Sequence, residues 1–375
     1  MKINFLLLLT LIFFALIFIF TFKANGNPDK NDCLITSYEI YKKNFMSKDG
    51  RIIDYDKNNI TTSEGQSYIM LQSLAVDDKP AFDLAWTWTK NNLQRSDKLF
   101  AWLWGKNSEG KYKILDYNSA SDADIDIAFA LLIAYEQWGN YKYLEEAKTI
   151  ICSIWDKETK KIGSRLVLMP GVKQTSEEKI EINPSYFSPY QFRFFQKYDD
   201  LHNWEYLIDS SYYYLNTAMA QTITGLPPNW FLIKDGQIIF EYSQRSDFSY
   251  DAIRVFARIY LDYERTGEKR ALTILEKSNI FIEQWRDFKT FYVNYQSNGE
   301  LRDKDKFVGS ISVLLPVISL YDKKVADEIY RQEVKPFIQN KTYWGSKKGY
   351  YSKNLTWFGL FLYENQLKGC RIKGK

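Results

Sequence analysis

Residues 121–156, "SDADIDIAFALLIAYEQWGNYKYLEEAKTIICSIWD", decide how this chain folds. Apolar residues recur at helical spacing on both sides of "WGNY" (138–141). That predicts helices over 121–138 and 141–156, joined by a short turn into an antiparallel pair. The pattern repeats along the chain from Ser37, with helices expected over 36–46, 63–76, 80–95, 188–199, 203–223, 249–264, 269–286, 308–320, 322–335 and 352–366. A second tight turn, "DYERTGEK" (262–269), joins another pair. Strand signals are few: "KYKILDY" (111–117) and "GQIIFEY" (236–242) read as short excursions between helices. No linker or low-complexity segment divides the chain after residue 33. About twelve helices in consecutive pairs around one core predict an all-α fold, an α/α toroid, in a single domain over 33–370. In a toroid the long loops that enter inner helices gather at one end, and a rigid scaffold lets such loops carry function. The longest here are 95–120, 157–187 and 224–248.

Composition restricts the chemistry. Of 375 residues, 45% are hydrophobic and 26% charged, as suits a globular chain with a large core. Tyr (28) outnumbers Phe (25), and tyrosine, with an apolar body and a polar tip, suits surfaces that stack on flat, hydroxyl-rich ligands; most of these rings nevertheless fill helix interfaces. There is one histidine, His202, in a polar stretch that reads as a surface turn leading into a helix. A His-rich zinc site cannot be built, so acid–base work falls to carboxylates, and no metal or other cofactor is expected. The net charge of +4, without a long basic run, gives no sign of nucleic acid.

Residues 1–26 carry an apolar run from Ile3 to Phe22. It reads as an export signal, or as a membrane anchor if it is not cleaved, so the folded part is expected in the periplasm or outside the cell. In an oxidising compartment Cys33 and Cys370 can pair across the chain ends, leaving Cys152 in "AKTIICSIW" as a buried thiol; the alternative is three free thiols.

Three carboxylates fall at three expected helix starts. In "TTSEGQSY" (61–68), Thr61 and Glu64 match a capping box, while Gly65 weakens the helix and clears space for a ligand beside the carboxylate. In "NSASDADIDIA" (118–128), Ser121 is the expected cap. Asp122, Asp124 and Asp126 crowd the first turn beyond what the helix dipole uses, and Asp122 and Asp126 share a face. In "SYDAIRV" (249–255), Ser249 is the expected cap, Asp251 lies in the first turn, and Arg254 follows three residues on, as in an ordinary helical ion pair.

Together these three segments resemble the signatures of glycoside hydrolase family 8, and within it the endoglucanase subgroup encoded alongside bacterial cellulose synthase. "DGRIID" (49–54), "AWLWGK" (101–106), "INPSYFSPY" (182–190) and "NLTWFG" (354–359) fit as well, so the resemblance runs from about Cys33 to Cys370. It implies an (α/α)6 barrel and inverting hydrolysis of β-1,4-linked glucan, with Glu64 as general acid, Asp251 as general base and Asp122 holding the sugar at the cleavage point. The family also acts on chitosan, xylan and mixed-linkage glucan; a non-catalytic glucan-binding assembly factor is the reading from another class.

A helix N-terminus favours an ionised carboxylate, so an acid at Glu64 needs desolvation or a neighbouring carboxylate, for which Asp122 is the candidate. Arg254 would keep Asp251 charged. Trp102 and Trp104, two apart and on one side of an extended segment, join Tyr68, Tyr186 and Tyr250 as candidates for stacking on or hydrogen bonding to sugar. The expected partners are a β-glucan and the cellulose synthase machinery, with the membrane touched only through residues 1–26, and the chain is expected to be a monomer.

Overall fold

The computed structural model describes residues 33–173, 179–241, 244–304 and 306–364. Among them the helices are α1 (Cys33–Phe45), α2 (Ser63–Ala75), α3 (Lys79–Leu93), α4 (Ser121–Trp138), α5 (Tyr141–Glu158), α6 (Pro189–Phe195), α7 (Glu205–Met219), α8 (Ile253–Thr266), α9 (Lys269–Leu275), α10 (Asn279–Phe288), α11 (Val308–Tyr321), α12 (Lys323–Ile329), α13 (Lys335–Ile338), α14 (Lys341–Gly345) and α15 (Tyr350–Glu364).

The pair α4–α5 shows how sequence builds the architecture. Gly139 ends α4 at φ 69°, a left-handed conformation that glycine adopts without steric cost, and its N–H bonds the Tyr135 carbonyl. Asn140 then caps α5, its side chain accepting from Lys142 N at 3.1 Å. Every residue of α4 from Ser121 to Ala134 is buried, whereas α5 buries one stripe, chiefly Tyr143, Ala147, Ile150, Ile151 and Ile154. So α4 belongs to an inner ring and α5 to an outer one. The "RTGEK" turn works alike, with Gly267 at φ 68° ending α8 and Glu268 capping α9.

Six such pairs complete the fold. The inner helices α2, α4, α6, α8, α11 and α15 follow one another around the ring; each packs against an outer partner, and α1 serves as the partner of α15. Gln72 on α2 donates to Asn354 on α15 at 3.1 Å, and the Tyr68 and Phe358 rings meet edge to face at 5.2 Å, so the last inner helix closes onto the first. This is the (α/α)6 barrel, and the buried side chains form one continuous core.

The long loops fold into small antiparallel sheets. β1 (Thr61–Thr62), β2 (Ala101–Lys106) and β3 (Tyr112–Ser119) form one, and β4 (Thr159–Ile162) and β5 (Arg165–Leu168) a hairpin. β6 (Ile180–Ile182), β7 (Phe231–Lys234) and β8 (Gln237–Ile239) tie loop 157–187 to loop 224–248.

Several helix boundaries differ from the sequence reading. α8 starts at Ile253 rather than Ser249, because Asn229 holds the preceding turn: its Oδ1 accepts from the Ser249 and Ala252 N–H groups, and its Nδ2 donates to Ser249 Oγ. Ser249 therefore caps nothing, and Asp251 sits in a turn ahead of the helix. The expected helix 269–286 breaks at a 3-10 turn, Glu276–Ser278, and 322–335 passes through a π-helical turn, Tyr330–Val334. Cys152 is partly exposed rather than buried, and His202 keeps only 17% of its side chain accessible. No helix among the described residues is long and apolar enough to cross a membrane. Residues 1–26, Cys370 and the Cys33 side chain lie outside what is described, and with them the expected signal segment and disulfide.

Candidate active site

The N-terminal ends of α2, α4, α6, α8 and α15 open toward one end of the barrel and bring their first-turn residues together. Glu64 stands at the second position of α2 and Asp122 at the second of α4. Asp251 precedes α8, Tyr186 precedes α6, and Tyr350 and Tyr351 begin α15. At the centre lies Arg254, buried on α8. Its Nη1 donates to Glu64 Oε1 at 2.5 Å and to Asp122 Oδ2 at 2.9 Å, and its Nη2 to Asp251 Oδ1 at 3.3 Å. One guanidinium thus gathers all three predicted carboxylates, two from the starts of α2 and α4 and one from the turn ahead of α8.

The caps are not those expected. Thr62, not Thr61, caps α2, accepting from Gly65 N at 3.1 Å; Thr61 accepts from Arg51 Nε at 2.7 Å and donates to the Ile52 carbonyl. Glu64 is released from capping and accepts instead from Tyr68 Oη at 2.8 Å and from Arg254. Ser121 caps nothing either: its hydroxyl donates to the Met169 carbonyl, tying α4 to loop 157–187. Nor does Gly65 leave an open approach. A Cβ there would lie 1.9 Å from the Tyr350 hydroxyl, so the glycine admits a protein side chain rather than a ligand.

The crowded aspartates of α4 divide their work. Asp122 and Asp126, one turn apart, face Arg254 and Arg258, also one turn apart, so two rungs of ion pairs span the barrel interior between α4 and α8. Asp126 pairs with both terminal nitrogens of Arg258 at 3.1 Å and accepts from Gln191 at 2.8 Å. Asp124 points the other way, toward the outer layer, where it accepts from Phe100 N at 2.9 Å and is buried beside the Glu158 carboxyl.

Burial decides where the site keeps its proton. Asp122 is pushed up to about 7, first by burial and then by the Glu64 charge, against the pull of Arg254. Asp122 is therefore a raised carboxyl at the mouth of the barrel. Asp122 and Glu64 meet the same arginine nitrogen. Tyr68, Tyr186, Tyr350 and Tyr351 surround the carboxylates, and burial pushes each phenol above its ordinary range, so all four remain neutral donors.

Asp251 differs from its counterparts, with 39% of its side chain exposed. Trp230 Nε1 donates to it at 3.2 Å and Asn183 Nδ2 at 3.5 Å, one from each of the loops joined by β6 and β7. Sequence reasoning did not single out Asn183, Trp230, Tyr350 or Tyr351. Asn183 sits inside the quoted "INPSYFSPY", whereas nothing local marks the other three.

The aromatic candidates separate. Tyr186 lies in the site, with the Arg254 guanidinium 5.6 Å from its ring centre. Tyr250 is 38% exposed at the rim, edge-on to Phe307. Tyr68 is buried and its hydroxyl is spent on Glu64, so it is a support for the carboxylate rather than a stacking surface. Irregular register between Ala101 and Trp104 breaks the alternation that would have put Trp102 and Trp104 on one side. Trp104 is packed by Tyr112, stacked at 4.8 Å, and by Trp88 and Arg51, so it is structural. Trp102 lies one residue beyond the β1–β2 pairing and remains partly exposed.

An (α/α)6 barrel whose open end gathers an acidic trio among tyrosines and tryptophans defines a glycoside hydrolase. The sequence model of "Glycosyl hydrolases family 8" matches residues 12–365, and the chain belongs to that family. An endoglucanase of Escherichia coli strain K12 is 32% identical over 335 residues, 87% of this chain and 86% of that protein. The crystal structure of an endo-1,4-D-glucanase from Vibrio fischeri ES114 superposes with a TM-score of 0.73 at 28% identity, over 88% of this chain and 95% of that one. The endoglucanase Cel10 of Klebsiella pneumoniae gives 0.70 at 27% identity, over 88% and 99%. The enzyme is an endoglucanase of this family.

Proposed function

We propose that the protein cleaves β-1,4-glucan with inversion at the anomeric carbon, Glu64 acting as general acid, Asp251 as general base and Asp122 holding the sugar between them. The observation that carries this reading is the shared guanidinium of Arg254. Bound to its two terminal nitrogens at 2.5 Å and 3.3 Å, the Glu64 and Asp251 oxygens are no more than ~8 Å apart, close enough to flank one glycosidic bond. Asp251 is the member open to solvent, as a base that activates water must be. The acid needs a proton, and the site stores one on Asp122 against the same nitrogen that Glu64 meets. Sugar seated on Asp122 desolvates the pair further and lets Glu64 carry that proton to the leaving oxygen. Tyr186, Trp102 and Tyr250 supply flat contacts along the cleft.

The finer assignments rest on the sequence. The apolar segment 1–26 supports export, to the periplasm or beyond, and the motif resemblance supports a role beside bacterial cellulose production, the enzyme acting as a monomer on nascent or free glucan. The test combines substrate, stereochemistry and site. Carboxymethylcellulose, chitosan, xylan and mixed-linkage glucan are assayed for new reducing ends, and fresh products are read by NMR for the anomer released. Carboxymethylcellulose is expected to be the preferred substrate, with the α-anomer formed first. E64Q and D251N should each fold and lose about two or more orders of magnitude in turnover. Wild-type rates in either variant, or β-anomer as first product, refute the assignment.

A further inference from the structure

Among the described side chains one lysine alone is buried: Lys353, the fourth residue of α15. A lysine is almost never buried unless it is paired, because the ammonium loses its hydration there. None of the described carboxylates forms an ion pair with Lys353. Its Nζ donates instead to the carbonyls of Ser346 and of Lys348, the latter at 2.7 Å. The ring centres of Phe45, from α1, and Tyr343, from α14, lie 5.2 Å and 5.3 Å away. Burial pushes the ammonium down to about 8 against the pull of the Asp56 charge, so it keeps its proton at neutral pH.

Both accepting carbonyls belong to the turn 346–349 that joins α14 to α15. The turn ends at Gly349, φ 72°, whose carbonyl accepts from Lys353 N at 2.9 Å. Lys353 therefore ties the turn to the helix through its backbone and its side chain together. The two residues that follow the turn are the site tyrosines. Tyr350 donates its N–H to Asp56 Oδ2 at 2.9 Å and sets its hydroxyl against Gly65, next to Glu64. Tyr351 donates its hydroxyl to the Tyr250 carbonyl at 3.1 Å and stands within electrostatic reach of Arg254, Glu64 and Asp251.

We propose that, on the glucanase reading of the site, Lys353 is a positioning residue: its ammonium clamps the 346–349 turn and so sets where Tyr350 and Tyr351 stand against Glu64 and Arg254. An apolar side chain could fill the same space, but it would leave two carbonyls without their donor. An ammonium has three N–H bonds; two go to the carbonyls and the third is left for the ring faces. A charged donor also makes the stronger bond to a carbonyl, which suits a short turn outside any helix or sheet. Misplacement by ~1 Å near a reacting centre can cost about 10²-fold in rate. A loosened turn thus reaches the chemistry although Lys353 touches none of the three site carboxylates.

The test uses K353M in the full chain, which keeps the packing of the stem and removes the ammonium. Hydrogen exchange read by mass spectrometry should quicken over 346–353 and stay as in the wild type in α2, α4 and α8. Turnover of soluble β-1,4-glucan oligosaccharides should fall at least about tenfold, with KM within about twofold, because the tyrosines stand beside the acid while the rest of the cleft is intact. A residue that only filled space would lower the melting temperature and leave kcat per folded molecule unchanged. K353Q, shorter and uncharged, carries the same expectations should K353M not fold. Wild-type kcat per folded molecule, or a change in KM alone, overturns the proposal. Wild-type exchange over 346–353 overturns it whatever the substrate, whereas a wild-type enzyme inert on every β-glucan refutes the glucanase reading and leaves the exchange measurement to decide the clamp.

Discussion

At the scale of single residues, Gly65 shows how far a local reading reaches. Its place beside Glu64 was legible, but its purpose was not, since Tyr350 arrives from the far end of the chain. In the first turn of α2, alanine would be worth about 1 kcal/mol more than glycine on propensity alone. The clash outweighs that gain: the new Cβ would sit 1.9 Å from the Tyr350 hydroxyl and 3.2 Å from Cζ, and the ring is packed between Tyr41 and Phe45. G65A is therefore expected to lose ~1–3 kcal/mol of stability by urea unfolding, with glucanase activity falling at least tenfold as Glu64 shifts. Removing the hydroxyl relieves the closest contact, so G65A/Y350F should be more stable than G65A alone. Equal losses in the single and double variants would show that the contact is not the cause. Arg254 carries the same lesson. Sequence offers it only Asp251, three residues away, and its closest partner, Glu64, lies 190 residues earlier.

At the scale of elements, what spacing encodes was legible and what loops impose was not. The pairs α4–α5 and α8–α9 follow from apolar periodicity and a glycine stop, which act within a few residues. The true start of α8 depends on Asn229, and the loss of Ser121 as a cap on the Met169 carbonyl; both come from loops that carry no periodic signal. A buried carboxyl pair holds loop 95–120 against α4 and α5. Asp124 and Glu158 are buried together, with Phe100 N donating to the first and Ser119 Oγ to the second, and the remaining oxygen of each finds a partner only if the two share a proton. Burial pushes Glu158 up to about 7 and Asp124 well above the carboxylate range. Both shifts are upward, so the folded state binds more protons than the unfolded chain. Their stabilisation is complete below the unfolded values near 4 and is lost as pH rises through about 7. E158Q replaces the shared proton with a permanent amide donor. Compared with E158Q, the wild type should lose on the order of 1–3 kcal/mol between pH 5 and pH 8, measured by urea unfolding across that range. Parallel pH profiles for the two proteins would mean that the pair holds no shared proton.

At the scale of the whole molecule, the count of paired helices predicts a ring, but only close contact between its ends makes one. The seam runs along α15, which meets α11 on one side and α1 and α2 on the other. Trp357 Nε1 donates to the Leu34 carbonyl at 3.1 Å, and Asn354 reaches Tyr41 and Gln72, so residues more than 280 positions apart are joined by buried hydrogen bonds. Gly359, the last residue of "NLTWFG", sets the approach to α11. A Cβ there would lie 2.3 Å from Ser312 C, 2.4 Å from its oxygen and 2.6 Å from Val313 N, all of them backbone atoms that cannot turn aside. Two opposing effects decide G359A: alanine gains about 1 kcal/mol of helix propensity, while forcing two inner helices apart at the seam costs more than the 1–3 kcal/mol typical of overpacking in a core. The net expectation is a loss of ~2 kcal/mol or more by urea unfolding. Because the displaced α15 also carries Tyr350 and Tyr351 into the site, turnover should fall with stability even though the substitution touches no carboxylate. A G359A protein as stable and as active as the wild type would show that the barrel tolerates a wider seam, and that the inner ring does not set the geometry at its mouth.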